Sequence, residues 1–354
     1  MGVPTAGGPD RAAARERAEQ LWAALRSGCL ERSPNGRARV RTAPGGRAAA
    51  LWPYSQVLHA AVLRGHLLGG APGATELGAT ELGAGLARFR RGSAYAARGG
   101  LLPSHRFYDD NAWVGLAAAQ AVLLRPDVPG PQRVADRLAR WCARGEDRDR
   151  GGVRWRPGLA ARHACSTGSL GLLVLRAVPP GQRPGADALA LARRCQQFLA
   201  GPLREADGLV GDNVGPGDRR DPTLHSYNQG LSVGLDVALH DAGEPGALER
   251  ARRTAALALD RFSDRDALWR QPPAFNAIFF RLLLLLHAFD GDPRWPSAAT
   301  AYLERVLTQG LRDDGLVGAG GIGSYGSDVV LDQAGVVQLA VLGGLEPPDL
   351  AFLT

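Results

Sequence analysis

Lysine is missing from this chain of 354 residues, where all 42 basic residues are arginine. Isoleucine occurs only at Ile278 and Ile322. So one-sided a usage fits a GC-rich genome better than selection for a binding surface. The scarcity of β-branched residues, set against abundant Ala, Leu and Gly, argues against a large sheet and for helices. Cysteine is limited to Cys29, Cys142, Cys165 and Cys195, too widely spaced for a disulfide framework or a zinc site. The one strongly apolar run, Leu282–Leu286, is short and follows Arg281, which suits a buried helix rather than a membrane span. Residues 1–9 have neither an apolar core nor a basic leader, and Ala6 stands where a myristoylation motif needs Ser or Thr. The expectation is a cytoplasmic protein whose first nine residues are disordered. The net charge of +7 comes from short Arg clusters interleaved with Asp and Glu. No helix-turn-helix, zinc finger or aromatic strand motif accompanies them, so a nucleic-acid partner is not expected.

What is present is helical periodicity along nearly the whole chain, punctuated by Gly/Pro-rich segments. It predicts twelve helices in six pairs: 10–27 and 51–69, 74–92 and 109–125, 131–145 and 164–178, 184–200 and 225–243, 245–262 and 272–291, 294–309 and 330–344. Connections inside the pairs are long (28–50, 93–108, 146–163, 201–224, 310–329), and those between pairs are short (126–130, 179–183, 292–293). In an antiparallel array this alternation puts every long loop, and the start of every second helix, on one face. The second helices are the more apolar, so they form an inner ring. The prediction is an all-α protein: one (α/α)6 barrel, or six-hairpin toroid, forming a single domain over residues 1–354 with its functional face among the long loops.

The inner-helix starts are polar or aromatic: Leu51-Trp-Pro-Tyr-Ser-Gln56, Tyr108-Asp-Asp-Asn-Ala-Trp113, His163-Ala-Cys-Ser-Thr-Gly168, His225-Ser-Tyr-Asn-Gln-Gly230, Phe275-Asn-Ala277 and Ser327-Asp-Val-Val-Leu-Asp-Gln333. One such cluster is an ordinary helix cap; six in phase suggest a lined site. Aromatic rings and amides are what hold a sugar, by stacking on its C–H face and bonding its hydroxyls. Asp109 and Asp110 supply the paired carboxylates that glycosidic cleavage requires. Acidic residues also favour helix N-termini for electrostatic reasons alone, so the pair is informative only in its setting.

In that setting the chain resembles glycoside hydrolase family 76, the endo-α-1,6-mannanases and related proteins, from about Leu51 to Leu345. The resemblance rests on Tyr108-Asp-Asp-Asn-Ala-Trp-Val-Gly-Leu116, followed in order by Gly151-Gly-Val-Arg-Trp155, Cys165-Ser-Thr-Gly168, Ser226-Tyr-Asn-Gln-Gly230, Phe275-Asn-Ala-Ile-Phe-Phe-Arg281 and Leu331-Asp-Gln-Ala334. It implies an (α/α)6 barrel and a retaining cleavage of α-1,6-mannosidic bonds. Asp109 would be the nucleophile and Asp110 the general acid, then base. Neither a metal nor an organic cofactor is implied, and the partner is a carbohydrate. Tyr108, Asn111, Trp113, Trp155, Tyr227, Asn228, Gln229, Asp332 and Gln333 are candidates for binding it, with Tyr227, Asn228 and Gln229 foremost. Asn111 is equally suited to capping the helix, and Trp113 to the core. The missing export signal, the small-residue loop Gly320–Gly326 and the aromatic-poor segment Gly211–Arg220 leave room for a smaller mannoside or a glycosylated metabolite. Transglycosylation on the same carboxylates and a silent carbohydrate-binding scaffold are the other readings.

Overall fold

A computed structural model describes residues 9–34, 36–69, 78–100, 102–124, 130–179 and 181–354. Its helices are α1 (Pro9–Cys29), α2 (Leu51–Leu67), α3 (Ala79–Gly85), α4 (Tyr108–Leu124), α5 (Pro131–Cys142), α6 (Ala164–Arg176), α7 (Ala186–Ala200), α8 (Ser226–Asp241), α9 (Ala247–Ser263), α10 (Ala267–Arg270), α11 (Pro273–Asp290), α12 (Arg294–Arg305), α13 (Val329–Leu342) and α14 (Pro347–Leu350). Ten of the twelve expected helices are matched to within a few residues, several ending in a 3-10 or π turn. The third helix is shorter, running from Ala79 into a 3-10 turn at Leu86–Phe89; residues 74–77 of that expectation lie outside the described residues. Helix α12 passes at its end into a π segment, Val306–Gly310. Residues 1–8 of the expected disordered leader also lie outside the described residues, while Pro9 already begins α1.

Helices α2, α4, α6, α8, α11 and α13 pack each on the next, and α13 returns onto α2, closing an inner ring. These six are apolar on every side and buried almost throughout. Their partners α1, α3, α5, α7, α9 and α12 lie outside. The outer helix α5 buries only Ala135, Leu138, Trp141 and Cys142, the single stripe expected of a helix with one wet face. Although α11 is long and apolar enough to cross a membrane, here it is a core helix between α8 and α13. Close approach explains two glycines in the ring. A Cβ on Gly230 would sit 2.8 Å from the Phe279 backbone, and one on Gly335 equally near that of Ala274. Across the interior, wholly buried Arg281 donates to Gln338, whose own amide donates to the Gln56 carbonyl at 3.0 Å, tying three inner helices together.

The long loops contain the strands, which are too short for any periodicity to announce. They are β1 (Leu30–Arg32) with β2 (Ala38–Val40), β3 (Arg90–Arg91) with β4 (Ala94–Tyr95), and β5 (Arg162–His163) with β6 (Asn213–Val214) and β7 (Arg220–Asp221). All pairings are antiparallel, and the three-stranded sheet joins two neighbouring loops.

Two sets of hydrogen bonds fix these loops to the ring. The first amides of each inner helix reach an acceptor in the next hairpin: Leu51 to Ala97, Tyr108 to Trp155, Ala164 to Asp212, and Val330 back round to Thr42, all to backbone carbonyls at 2.8–3.0 Å. Ser226 and Ala274 use the side chains of Gln271 and Asp332 instead. Three residues into the helices, a buried side chain grips its own loop. Asn111 bonds both the N–H and C=O of Tyr95; Gln229 does the same to Val210; Thr167 accepts from Val153, Gln333 accepts from Val317, and Asn276 donates to Leu268. These bonds satisfy helix-start and loop groups that burial would otherwise orphan.

Replacing Asn111 with Ala would leave both backbone groups of buried Tyr95 unpaired. The expected loss is about 2–4 kcal/mol of unfolding free energy, read from urea denaturation, with helical content unchanged.

Candidate active site

Asp109 and Asp110 are the second and third residues of α4, so both sit on the N-terminal turn facing the loops. Oδ2 of Asp109 accepts from the Trp155 indole at 3.1 Å and from the Cys165 thiol at 3.3 Å. Its Oδ1 is sealed from solvent and has no partner. No side-chain donor among the described residues reaches Asp110. Both side chains keep a narrow opening to solvent but are otherwise enclosed by protein.

That enclosure governs their protonation. Burial pushes Asp109 up to about 6, a rise restrained by the thiol, the indole and the helix-start amides. Burial pushes Asp110 well above the usual carboxylate range, and the Asp109 charge pushes it further. The pair therefore loses its first proton from the member held by side-chain donors, Asp109, and keeps the second on Asp110.

Aromatic rings flank the carboxylates on two sides. On one, Trp155 packs against Phe107 at 4.7 Å and stacks on His163 at 5.2 Å. On the other, Tyr227 meets Phe275 at 4.4 Å, and Tyr325 meets Trp52 edge-on at 4.8 Å. Burial pushes both hydroxyls up, and the charges of Asp110 and Asp109 add to it at Tyr325, as those of Asp212 and Asp109 do at Tyr227. Trp155 and Tyr325 remain 38% and 45% exposed, so their faces are available to a ligand. Asp212 joins the two aromatic groups, with His163 Nδ1 at 3.7 Å, His225 Nε2 at 3.8 Å and the Asn228 amide at 3.3 Å. Among the described residues, no three His, Cys, Asp or Glu side chains are placed to share a metal ion.

The nine sugar-binding candidates separate by placement. Trp155 and Tyr227 line the site, and Asn228 stands behind it, holding Asp212. Asn111, Gln229 and Gln333 are wholly buried; the first two spend their amides on loop backbone, while Gln333 accepts from Val317 and donates to the Leu21 carbonyl of α1, so all three shape the site without facing it. Asp332 is likewise buried, accepting from the Ala274 and Tyr325 amides, and burial takes it to about 7. Tyr108 points into the wall against Trp141 at 4.7 Å, and Trp113 is core. Cys165, Asp212, Trp52, His163, His225, Phe275 and Tyr325 were not among the candidates. Several of them immediately precede or open an inner helix, and that position was the usable signal. Tyr325 and Asp212 come from the two segments whose composition looked wrong for a sugar site. In one of these, Gly320 and Gly323 are required because a Cβ would lie 2.2–2.3 Å from a backbone carbonyl oxygen.

A separate, largely apolar cavity of about 450 Å³ is lined by Leu58, Val62, Leu86, Val114 and Val134, with Arg64 and Tyr95 also in its wall.

The sequence matches no protein-family model and no curated protein. The fold, by contrast, is shared with solved structures. A family 76 glycoside hydrolase from a bovine Bacteroides thetaiotaomicron strain is similar at a TM-score of 0.79 and 20% identity, over 93% of this chain and 77% of that one. An inactive α-1,6-mannanase of Salegentibacter sp. HEL1_6, carrying two consecutive Asp-to-Asn changes and bound to α-1,6-mannotriose, is similar at 0.75 and 20%, over 94% and 100%. A D-mannose isomerase is similar at 0.66 and 12%, over 96% and 99%. The (α/α)6 barrel is thus established, and the same barrel serves more than one chemistry.

Raised carboxyl pKa values lower stability in a defined pH window. Below the ordinary carboxylate range both folded and unfolded chains hold these protons, and no difference arises. As pH climbs, the unfolded chain releases them first, and the native state loses relative stability until its own groups ionise. Asp110→Asn should therefore raise Tm at pH 7 by on the order of 2 °C, with the gain vanishing near pH 4 in calorimetric scans.

Proposed function

We propose that this protein is a family 76-type glycoside hydrolase acting on α-mannosides, with α-1,6-linked mannose as the substrate to try first. The observation that carries this reading is the carboxylate pair at the loop end of the barrel, with Asp109 held by the Trp155 indole and the Cys165 thiol, and with the rings of Trp155, Tyr227 and Tyr325 around it. The relative bound to α-1,6-mannotriose was made inactive by changing two consecutive aspartates, which is the sequence relation of Asp109 to Asp110. D-mannose isomerase shares 12% identity with this chain, and that resemblance is read as one of fold.

The proposed chemistry retains configuration and runs in two steps. Asp109 attacks the anomeric carbon as the bond to the glycosidic oxygen breaks; that oxygen keeps the electron pair and takes the Asp110 proton. A water then attacks the anomeric carbon of the glycosyl–Asp109 ester and gives its proton to Asp110. The ester bond breaks with its electron pair returning to Asp109, and both carboxyls regain their starting states. Trp155, Tyr227 and Tyr325 present ring faces to the sugar's C–H surfaces, while Asp212 is the acceptor placed for its hydroxyls.

Reduced-end-labelled α-1,6-mannooligosaccharides should be shortened by the purified protein, as read by product mass. Asp109→Asn and Asp110→Asn should each cost about 1,000-fold or more in kcat. Intact substrate with the wild-type protein would overturn the substrate assignment, and full activity in either variant would overturn the mechanism.

A further inference from the structure

Among the groups around the pair, the Cys165 thiol is the least expected. Cys165 is the second residue of α6, Asp109 the second residue of α4, and the two helices pack side by side in the inner ring. The thiol is buried. Burial and the charges of Asp109 and Asp212 push it well above the usual thiol range, so it stays S–H and acts as a donor, not a nucleophile. It points at Asp109 Oδ2.

We propose that Cys165 is a positioning residue for the carboxylate pair, holding Asp109, together with the Trp155 indole, as the oriented anion beside protonated Asp110. This inference rests on the two-carboxylate reading above. Its basis is the imbalance of donors: Oδ2 of Asp109 has two from side chains, Oδ1 has none, and Asp110 has none among the described residues. Among the described residues, no Arg or His side chain bonds either carboxylate. The titratable groups facing the pair are Asp110 itself from α4, Cys142 from α5, Cys165 from α6, Asp212 from the loop before α8, Tyr227 from α8 and Tyr325 from the loop before α13. His163, behind Trp155, is held toward its neutral form by burial. Among side chains, the two neutral donors on Oδ2 therefore distinguish Asp109 from Asp110.

The thiol also bears on the second chemical step. When the glycosyl ester breaks, the electron pair returns to Asp109, and donors at Oδ2 stabilise the carboxylate as it leaves. A variant without the donor should accumulate the ester, lowering kcat and KM together.

The test is the protonation of Asp109 followed by carboxyl NMR on protein labelled with 13C-aspartate, with Asp109→Asn identifying its signal. Cys165→Ala should raise the Asp109 midpoint by about 0.5–1 pH unit, and Trp155→Phe should move it the same way. Cys165→Ser, which keeps a donor, should return the midpoint to the wild-type value or below. An unmoved midpoint in folded Cys165→Ala would overturn the proposal. So would equal shifts in the Ala and Ser variants, since a packing role alone predicts no rescue by Ser. Should Cys165→Ala fail to fold, the Trp155→Phe and Cys165→Ser pair carries the same decision. Because the readout needs no turnover, a moved midpoint without mannoside cleavage would sink the substrate reading and leave this one standing.

Discussion

The hydrogen bonds between inner-helix starts and loop backbone are what the rest of this structure depends on. An (α/α)6 ring buries six helix N-termini at one end, each with free amides, and at the same end it must hold loops of up to two dozen residues. Here one set of groups serves both needs. The first amides of each inner helix are received by the next hairpin, and a buried Asn, Thr or Gln a turn later grips the loop of its own hairpin. The contacts run cyclically, ending with Val330 on Thr42, so the loop face closes on itself as the helices do. Trp155, Asp212 and Tyr325 each lie at, or next to, a backbone group held in this way. The aromatic and acidic groups around the carboxylates thus owe their placement to bonds made beneath them.

Much of the architecture was legible because it rests on long, periodic signals. Loop-length alternation and the all-round apolarity of segments such as Ala277–Leu286 gave the order and the layering of the helices. The carboxylate pair was legible too, as a local motif. The polar residues of the inner-helix starts were harder, because a single sequence does not distinguish an amide that holds a sugar from one that holds a loop. Asn111, Gln229 and Gln333 are of the second kind. A signal for this does exist: Asp207-Gly-Leu-Val210 and Asp314-Gly-Leu-Val317 are the same tetrapeptide, and in each the valine amide donates to Gln229 or Gln333. Both tetrapeptides form the same turn, with the aspartate accepting from the leucine amide and the glycine at positive φ. Tyr325 and Asp212 were illegible for another reason. Their proximity to Asp109 is created by tertiary packing across hairpins, which no local pattern encodes.

The site opposes the fold that carries it. Two adjacent carboxyls are buried at a helix start with two side-chain donors between them, and a third, Asp332, is buried against backbone amides nearby. Each would be cheaper to fold as an amide at neutral pH. What the arrangement supplies in return is asymmetry: Asp109 is solvated by an indole and a thiol, whereas Asp110 is solvated by nothing comparable. Identical side chains in consecutive positions thereby meet different environments, which the proposed division into nucleophile and acid requires.

The most direct test of that account is the anomeric configuration of the first product formed from an α-1,6-mannooligosaccharide, followed by proton NMR before mutarotation. The proposed division of roles between Asp109 and Asp110 predicts that the new reducing end appears as the α-anomer. Initial appearance of the β-anomer would mean a single displacement by water, and Asp109 would not be the nucleophile.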